Sequence, residues 1–422
     1  MSGEMSRGEA QRLDRQDELA SFRQQFVRED PDLIYLLGNS LGRLPRPTVA
    51  QMRDVVEQQW GQRLIRGWLD GWMALPQRVG DKIGRLLSAR EGEVIVAEST
   101  SINLYKVILA ALEQRPDRRK VLSDDLNFPS DLYVLQGALR TLGGDHELQL
   151  LSSPDGVHGP VQALAEAIDE ETALIILSHT LFESGFVYDM AAITRLAHKA
   201  GALIVWDLSH SAGAVPVDLG AAGADYAVGC TYKYLNGGPG APAFLYVRRD
   251  LQAGSHNPIS GWMGQDRPFE FELTYRPAPD LRRFLTGTPT VLSLAAIEPG
   301  VDLLLQAGMA RVQQKARRQT AYLIQLWEAY LQPLGVDLQS PPDAAQRGAH
   351  VALAHPEGLR ISLALKEQMN VLLDFRRPDV LRLSCAPLYT SYVELFDAVH
   401  RLRTVVTERL YEAHPHGPPP VT

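Results

Sequence analysis

The sequence predicts an α/β fold: a mostly parallel seven-stranded sheet with helices on both faces, plus a small α+β domain. Three observations predict it. Seven short apolar runs lie between residues 93 and 250, with helical stretches such as 189–200 between several of them. Such alternation builds parallel sheets covered on both sides. Residues 291–333 then carry long helical spacing, and residues 334–410 mix short strands with a final helix over 391–410.

Taken in order, residues 11–30 read as a polar amphipathic helix. Residues 34–37 read as a short strand entering the turn Gly38-Asn39-Ser40-Leu41-Gly42. Helical spacing covers 47–88, with Trp60, Trp68 and Trp72. The seven runs start at Val94, Lys120, Glu147, Leu174, Leu203, Tyr226 and Ala243. The last follows the Gly237–Pro242 turn so closely that it reads as antiparallel. Leu359–Ser362 and Leu381–Leu383 read as strands, 340–343 as a loop, and 414–422 as a frayed tail. The expected division is an N-terminal segment, 1–50, serving the small domain and the active site. A large domain, 51–290, follows, then bridging helices, 291–333, and a C-terminal small domain, 334–422.

Composition excludes several classes. With 422 residues, 45% hydrophobic and 22% charged, the chain matches a soluble globular protein. A net charge of −8 argues against a nucleic-acid or anionic-membrane surface. Two cysteines, Cys230 and Cys385, make neither a disulfide framework nor a metal cluster, so a reducing cytoplasm is expected and no metal is. No apolar run approaches the length of a membrane span, and the N-terminus lacks an apolar signal region.

The chemistry centres on Lys233, before the glycine-rich turn at Gly237-Gly238, and Asp207, at the end of an apolar run 26 residues upstream. An acid and a lysine at neighbouring strand ends can face one ligand. That arrangement suits pyridoxal phosphate (PLP): the amine forms an imine with its aldehyde, and the carboxylate keeps its ring nitrogen protonated. An isolated pair of this kind is more often a surface lysine and a capping aspartate; the other motifs shift the balance. Ser99-Thr100-Ser101 precedes a helix and offers hydroxyls and free N–H groups as a phosphate seat, or simply an N-cap. Phe128 has the shape to stack on a ring, with Asp131 as an acceptor beside it, although plain packing is the commoner use of such a Phe. His210 follows Asp207 by three residues and can touch the same ligand, whereas His146, His158 and His256 read as surface residues. Trp262 and Thr288 carry donors that suit a phosphate, against a core or interface role for the tryptophan. Arg382 lies in an apolar strand, where a guanidinium needs a partner: a substrate carboxylate or a structural salt bridge. The Gly237–Gly240 turn lacks the Lys-Ser/Thr of a P-loop, and no cysteines or histidines have zinc-finger spacing.

Together these motifs resemble the kynureninases, PLP-dependent enzymes of the fold-type-I transferase class. The likeness runs from about Tyr35 to Tyr389 through Gly38–Gly42, Ser101–Leu104, Phe128–Asp131, Asp207–His210, Tyr232–Asn236, Gly261–Gly264 and Pro387–Tyr389. It implies Lys233 as the imine-forming lysine, Asp207 on the pyridinium nitrogen and Phe128 on the ring. Thr100, Ser101, Tyr232, Trp262 and Thr288 would surround the phosphate, the last two from a partner subunit of a homodimer. Asp131, Ser178 and His210 would line the cofactor, and Arg382 would hold the substrate carboxylate. Ser40, Trp72 and Thr288 would shape the aryl pocket, and Tyr232 would transfer protons. The implied reaction is hydrolysis of L-kynurenine to anthranilate and L-alanine in tryptophan catabolism, with NAD biosynthesis as a related route and 3-hydroxykynurenine a weaker substrate. Trp72 and Thr288 resemble the bacterial form. Leu37, where an aspartate is usual, and Cys385 depart from the pattern without touching the expected chemistry. The competing enzyme reading is a cysteine desulfurase or aminotransferase on the same fold; a catalytically silent binding protein would have lost the lysine.

Overall fold

The computed structural model describes residues 5–415 and Gly417. Among the described residues the strands are β1 (Ile34–Leu36), β2 (Val94–Val96), β3 (Lys120–Asp124), β4 (Glu147–Leu151), β5 (Thr172–Ser178), β6 (Leu203–Asp207), β7 (Tyr226–Gly229), β8 (Phe244–Val247), β9 (Asp337–Leu338), β10 (His350–Ala354), β11 (Val371–Arg376) and β12 (Val380–Ser384). Seven form one sheet in the order β2-β8-β7-β6-β5-β3-β4. The pairs β4–β3, β3–β5, β5–β6 and β6–β7 are parallel, and β8 is antiparallel to both neighbours. The expected α/β class, the seven runs and the reversed last strand are all borne out. Strands β5 and β6 are buried along their whole length, as continuous Ile, Leu and Val runs require when both faces are covered.

A second sheet has the order β1-β11-β12-β10-β9, with only the β1–β11 pair parallel. Strand β1 thus carries the N-terminal segment into the sheet made by the C-terminal part of the chain. Helices Ile297–Ala307 and Met309–Tyr330 connect the two sheets and meet at Gly308 with a bend of 85°.

Three local expectations are corrected. The helix expected over 11–30 is Arg7–Arg15 followed by a short 3-10 turn, Ala20–Gln25. Asp17 breaks it: its side chain accepts the Leu19 N–H at 2.9 Å and pairs with buried Lys315 at 2.6 Å. The expected strand Leu359–Ser362 lies inside a helix, Gly358–Gln368. Its buried residues Ile361, Ala364 and Leu365 have helical spacing, which a four-residue window cannot distinguish from a strand. The helical spacing of 47–88 is not one helix. Helix Arg46–Asp54 continues as wider π-type turns through Arg63 and again at Trp68–Trp72, before helix Leu75–Leu86.

Candidate active site

A cavity of about 320 Å³ opens at the carboxyl ends of the parallel strands, where open α/β sheets hold ligands. Separate segments line it: 98–101 after β2, 128–131 after β3, 207–210 after β6, Tyr232-Lys233 after β7, and 240–243 before β8. Eight of the expected residues meet there: Thr100, Ser101, Phe128, Asp131, Asp207, His210, Tyr232 and Lys233.

Lys233 Nζ lies 2.9 Å from His210 Nε2 and 5.9 Å from the ring centres of Phe128 and Tyr232. Burial, then the charges of Lys233 and Arg382, hold the His210 pKa well below its ordinary value. The imidazole is therefore neutral and Nε2 accepts from the lysine amine. The Lys233 backbone is itself held in place. Gly42 N–H donates to the Tyr232 carbonyl at 2.8 Å, and a Cβ on Gly42 would lie 2.3 Å from the Lys233 carbonyl oxygen. Only glycine lets the Gly38–Gly42 turn approach so closely.

Asp207 is 5% exposed and accepts two hydrogen bonds at Oδ1, from Ser209 N–H at 2.8 Å and Ser209 Oγ at 2.6 Å. Asp131 is buried beside it. Two carboxylates packed together in low dielectric cannot both keep their charge. Burial and the neighbouring Asp207 push Asp131 well above the usual carboxylate range, so Asp131 holds the proton. Burial raises Asp207 too, but the Ser209 donors and the Lys233 charge oppose that. Asp131 Oδ2 receives no hydrogen bond from the described residues. A protonated ring nitrogen would supply the missing positive charge at this end.

At the opposite end, helix Thr100–Glu113 starts with Ser99 as N-cap, and Ser101 Oγ lies 3.3 Å from Ser130 Oγ. Free N–H groups and three hydroxyls at a helix N-terminus favour a phosphate. Amine, acid, aromatic face and anion seat therefore fit PLP in one pocket of suitable size.

Arg382 sits apart from this cavity's lining, in β12, 1% exposed. It pairs with Asp374 and donates to the Phe182 carbonyl, and its Nη2 lies 3.3 Å from Ser40 Oγ. Ser40 Oγ donates to Asp374 at 2.6 Å, so Ser40 and Arg382 share one carboxylate. Burial pulls the guanidinium down to about 10, which leaves it charged at neutral pH.

Four expected residues lie elsewhere. Ser178, at the end of β5, is outside the cavity's lining and donates to Asn127 Oδ1 at 2.5 Å. Trp72 donates its indole N–H to Gln59 at 2.8 Å and packs edge-on against Trp68. Trp262 is 40% exposed and Thr288 is exposed, and neither lines this chain's own cavity; Thr290 does. Of the histidines expected at the surface, His256 is exposed, while His146 and His158 are half-buried. The sequence reading missed Ser209, Thr290, Asp374 and His350, whose ring centre lies 5.8 Å from that of His210. For Asp374 a signal exists: the turn Arg377-Pro378-Asp379 joins two β-like runs, and that hairpin sets Asp374 opposite Arg382.

Residues 312–402 match the family model of the kynureninase C-terminal domain. The chain is 42% identical to the kynureninase of Pseudomonas fluorescens over 411 residues, covering 96% of this chain and 97% of that one. It is 41% identical to the kynureninase of Burkholderia pseudomallei (strain 1106a), covering 97% of each. Among solved structures, the apo cysteine desulfurase of Thermococcus onnurineus NA1 superposes with a TM-score of 0.79 at 17% identity, covering 92% of this chain and 98% of that one. A lysine-to-alanine variant of C-DES, with glycine covalently linked to its PLP cofactor, gives 0.78 at 19%, covering 90% and 98%. The desulfurase likeness is one of fold; both of these relatives are kynureninases, and the chain belongs to the kynureninase family of fold-type-I, PLP-dependent enzymes.

Proposed function

We propose that the chain hydrolyses L-kynurenine to anthranilate and L-alanine, with PLP carried by Lys233. The observation that supports this most is the convergence of Lys233, Asp207 and the Thr100–Ser101 helix terminus on one cavity, in a chain so similar to kynureninases. When bound, PLP supplies a conjugated ring that draws in the electron pair left when a bond at Cα breaks. Asp207 keeps its charge toward the ring nitrogen, and protonated Asp131 beside it keeps a second anion out of the site. Phe128, 39% exposed on this chain, lies open to the cavity and serves as the cover of one ring face. Thr100 and Ser101 hold the phosphate at the helix N-terminus. Ser178 orients Asn127, which precedes Phe128.

Lys233 Nζ would serve as the base for the Cα proton. Neutral His210 accepts from that amine and holds it within the cavity. Burial raises the Tyr232 phenol, with Cys230 and Asp207 adding to the effect, so Tyr232 Oη stays protonated and acts as a donor. It serves as proton donor when water adds to the γ-carbonyl and the Cβ–Cγ bond breaks, one water being consumed per turnover. Arg382 binds the α-carboxylate, with Ser40 beside it. Positioning and fixed charges supply most of the acceleration.

Trp262 and Thr288 would complete the phosphate and aryl sites of a partner subunit. Their exposure supports a homodimer, as do the exposed apolar side chains of Ile65, Leu69, Phe271 and Leu273. Trp72, from the turns following residue 67, would join the aryl wall and favour kynurenine over its 3-hydroxy analogue. The two cysteines are free and buried, in keeping with a reducing cytoplasm. Tryptophan catabolism is the setting this reaction fits. A desulfurase would need an exposed, mobile thiolate. Burial instead raises the Cys230 thiol and pushes Cys385 up to about 12.

Incubation of the PLP-loaded protein with L-kynurenine tests the reading: anthranilate and alanine should form in equal amounts. Borohydride reduction with peptide mapping should place the adduct on Lys233. Absence of anthranilate, or an adduct on another lysine, overturns it.

A further inference from the structure

A second cavity, of about 310 Å³, shares the loop after β6 with the first and is completed by the loop after β5, helix Met309–Tyr330 and residues 345–348. The loop after β6 gives His210 to the active site and Val215 and Val217 to this cavity. The loop after β5 gives its Phe182 carbonyl to Arg382, while His179 and Val187 line the cavity. The two sites also meet through one backbone bond, His179 N–H to the Asp207 carbonyl at 2.9 Å.

Arg347 lines this cavity and is 4% exposed. Its Nη1 donates to the carbonyl oxygens of Pro341 and Pro342. Among the described residues neither Nε nor Nη2 has a hydrogen-bond partner, and no carboxylate lies in ion-pair contact with the guanidinium. A buried cation with no ion-pair contact is costly: burial lowers this guanidinium's pKa, and Cys385 and the exposed Asp343 oppose that only in part. The other charges at the cavity, Arg317, Asp189 and Asp218, are all exposed, and the two aspartates already cap helix N-termini. The buried end is therefore positive, and the walls beside it, Val187, Met190, Val215 and Val217, are apolar.

We propose that this cavity is a second ligand site for a small organic carboxylate, with the anion on Arg347 and the apolar body against the valine wall. A ligand there bears on both loops that hold Arg382 and His210, so its occupancy is linked to the active site.

The test uses the PLP-loaded protein and benzoate as the probe, followed by titration calorimetry. Wild type should show saturable binding that survives Arg382→Gln but weakens at least about tenfold in Arg347→Gln. Circular dichroism and cofactor absorbance establish that each variant is folded and loaded. Where Arg347→Gln folds, its result decides; where it does not, Ala221→Trp, a bulky residue placed on the cavity lining, decides by the same tenfold criterion. No saturable binding in wild type, unchanged affinity in the deciding variant, or loss of binding in Arg382→Gln overturns the proposal.

Discussion

Asp374 and Arg382 face each other across the β11–β12 pair and form an ion pair from which water is all but excluded. Arg376, at 3.1 Å, and Ser40 complete the shell of the same carboxylate. Asp374 therefore sets where the Arg382 fork points before any substrate arrives.

Asp374→Asn keeps the shape and removes the charge. Removing one partner of a buried pair costs about 3 kcal/mol of stability, and a less firmly held Arg382 should raise KM about tenfold with a smaller change in kcat. Steady-state kinetics on kynurenine and urea unfolding check both. An unchanged KM would separate Arg382 from substrate binding.

Asp207→Asn should fold, since the amide oxygen can still accept from Ser209, yet lose about a hundredfold to a thousandfold in kcat. An amide cannot hold a ring nitrogen protonated. Near-normal turnover in a folded, cofactor-loaded variant would make Asp207 purely structural.

Trp262 and Thr288 lie outside their own chain's cavity. Mixing inactive Lys233→Ala with inactive Trp262→Ala subunits should restore part of the activity, because one site of the mixed dimer keeps both residues. Confirmed heterodimers without recovery would mean that each site comes from one chain.

Wild type should favour kynurenine over 3-hydroxykynurenine by roughly tenfold to a hundredfold in kcat/KM, the cost of an unpaired hydroxyl against an apolar wall. Trp72→His with Thr288→Asn should move the ratio toward the hydroxylated substrate. Equal values in wild type, or an unmoved ratio in the folded double variant, would remove both residues from the specificity argument.

Burial lowers His179 to about 4 and His350 to about 3. Each is neutral in the fold, so the unfolded chain takes up protons first as pH falls below about 6.5. Their stability contribution is present above that pH and is lost on acidification, at up to about 1.4 kcal/mol per pH unit each. Asp124, raised by burial to about 6, has the opposite sign: its contribution is present below about 4 and is lost as pH rises through 6. His350→Gln should therefore flatten the loss of stability between roughly pH 6.5 and 4, and Asp124→Asn should steepen it. Urea midpoints across that range read both slopes; parallel curves for all three proteins would show that these groups do not titrate as their burial implies.

Much of this was legible from residue order. The alternation of apolar runs and helical stretches yields the large sheet, because whole buried strands must be continuous in Ile, Leu and Val. Asp207 and Lys233 were legible because each ends or follows such a run, and strand ends in open α/β sheets meet at one edge. Helix 358–368 was not, because four residues carry too little of a 3.6-residue period to exclude a strand.

What lay beyond the sequence depends on contacts between distant segments. Lone motifs do not say that Asp131 lies against Asp207 and must hold the proton, since the two come from loops after different strands. Nor do they say that Arg382 already has a carboxylate, or that Ser40 shares it, because that pairing joins a turn near residue 40 to a hairpin near residue 380. Local sequence sets the period of each element and the chemistry available at its ends. Which charges are buried together, and hence which of them keep a proton, is decided only when the chain closes on itself and removes them from water.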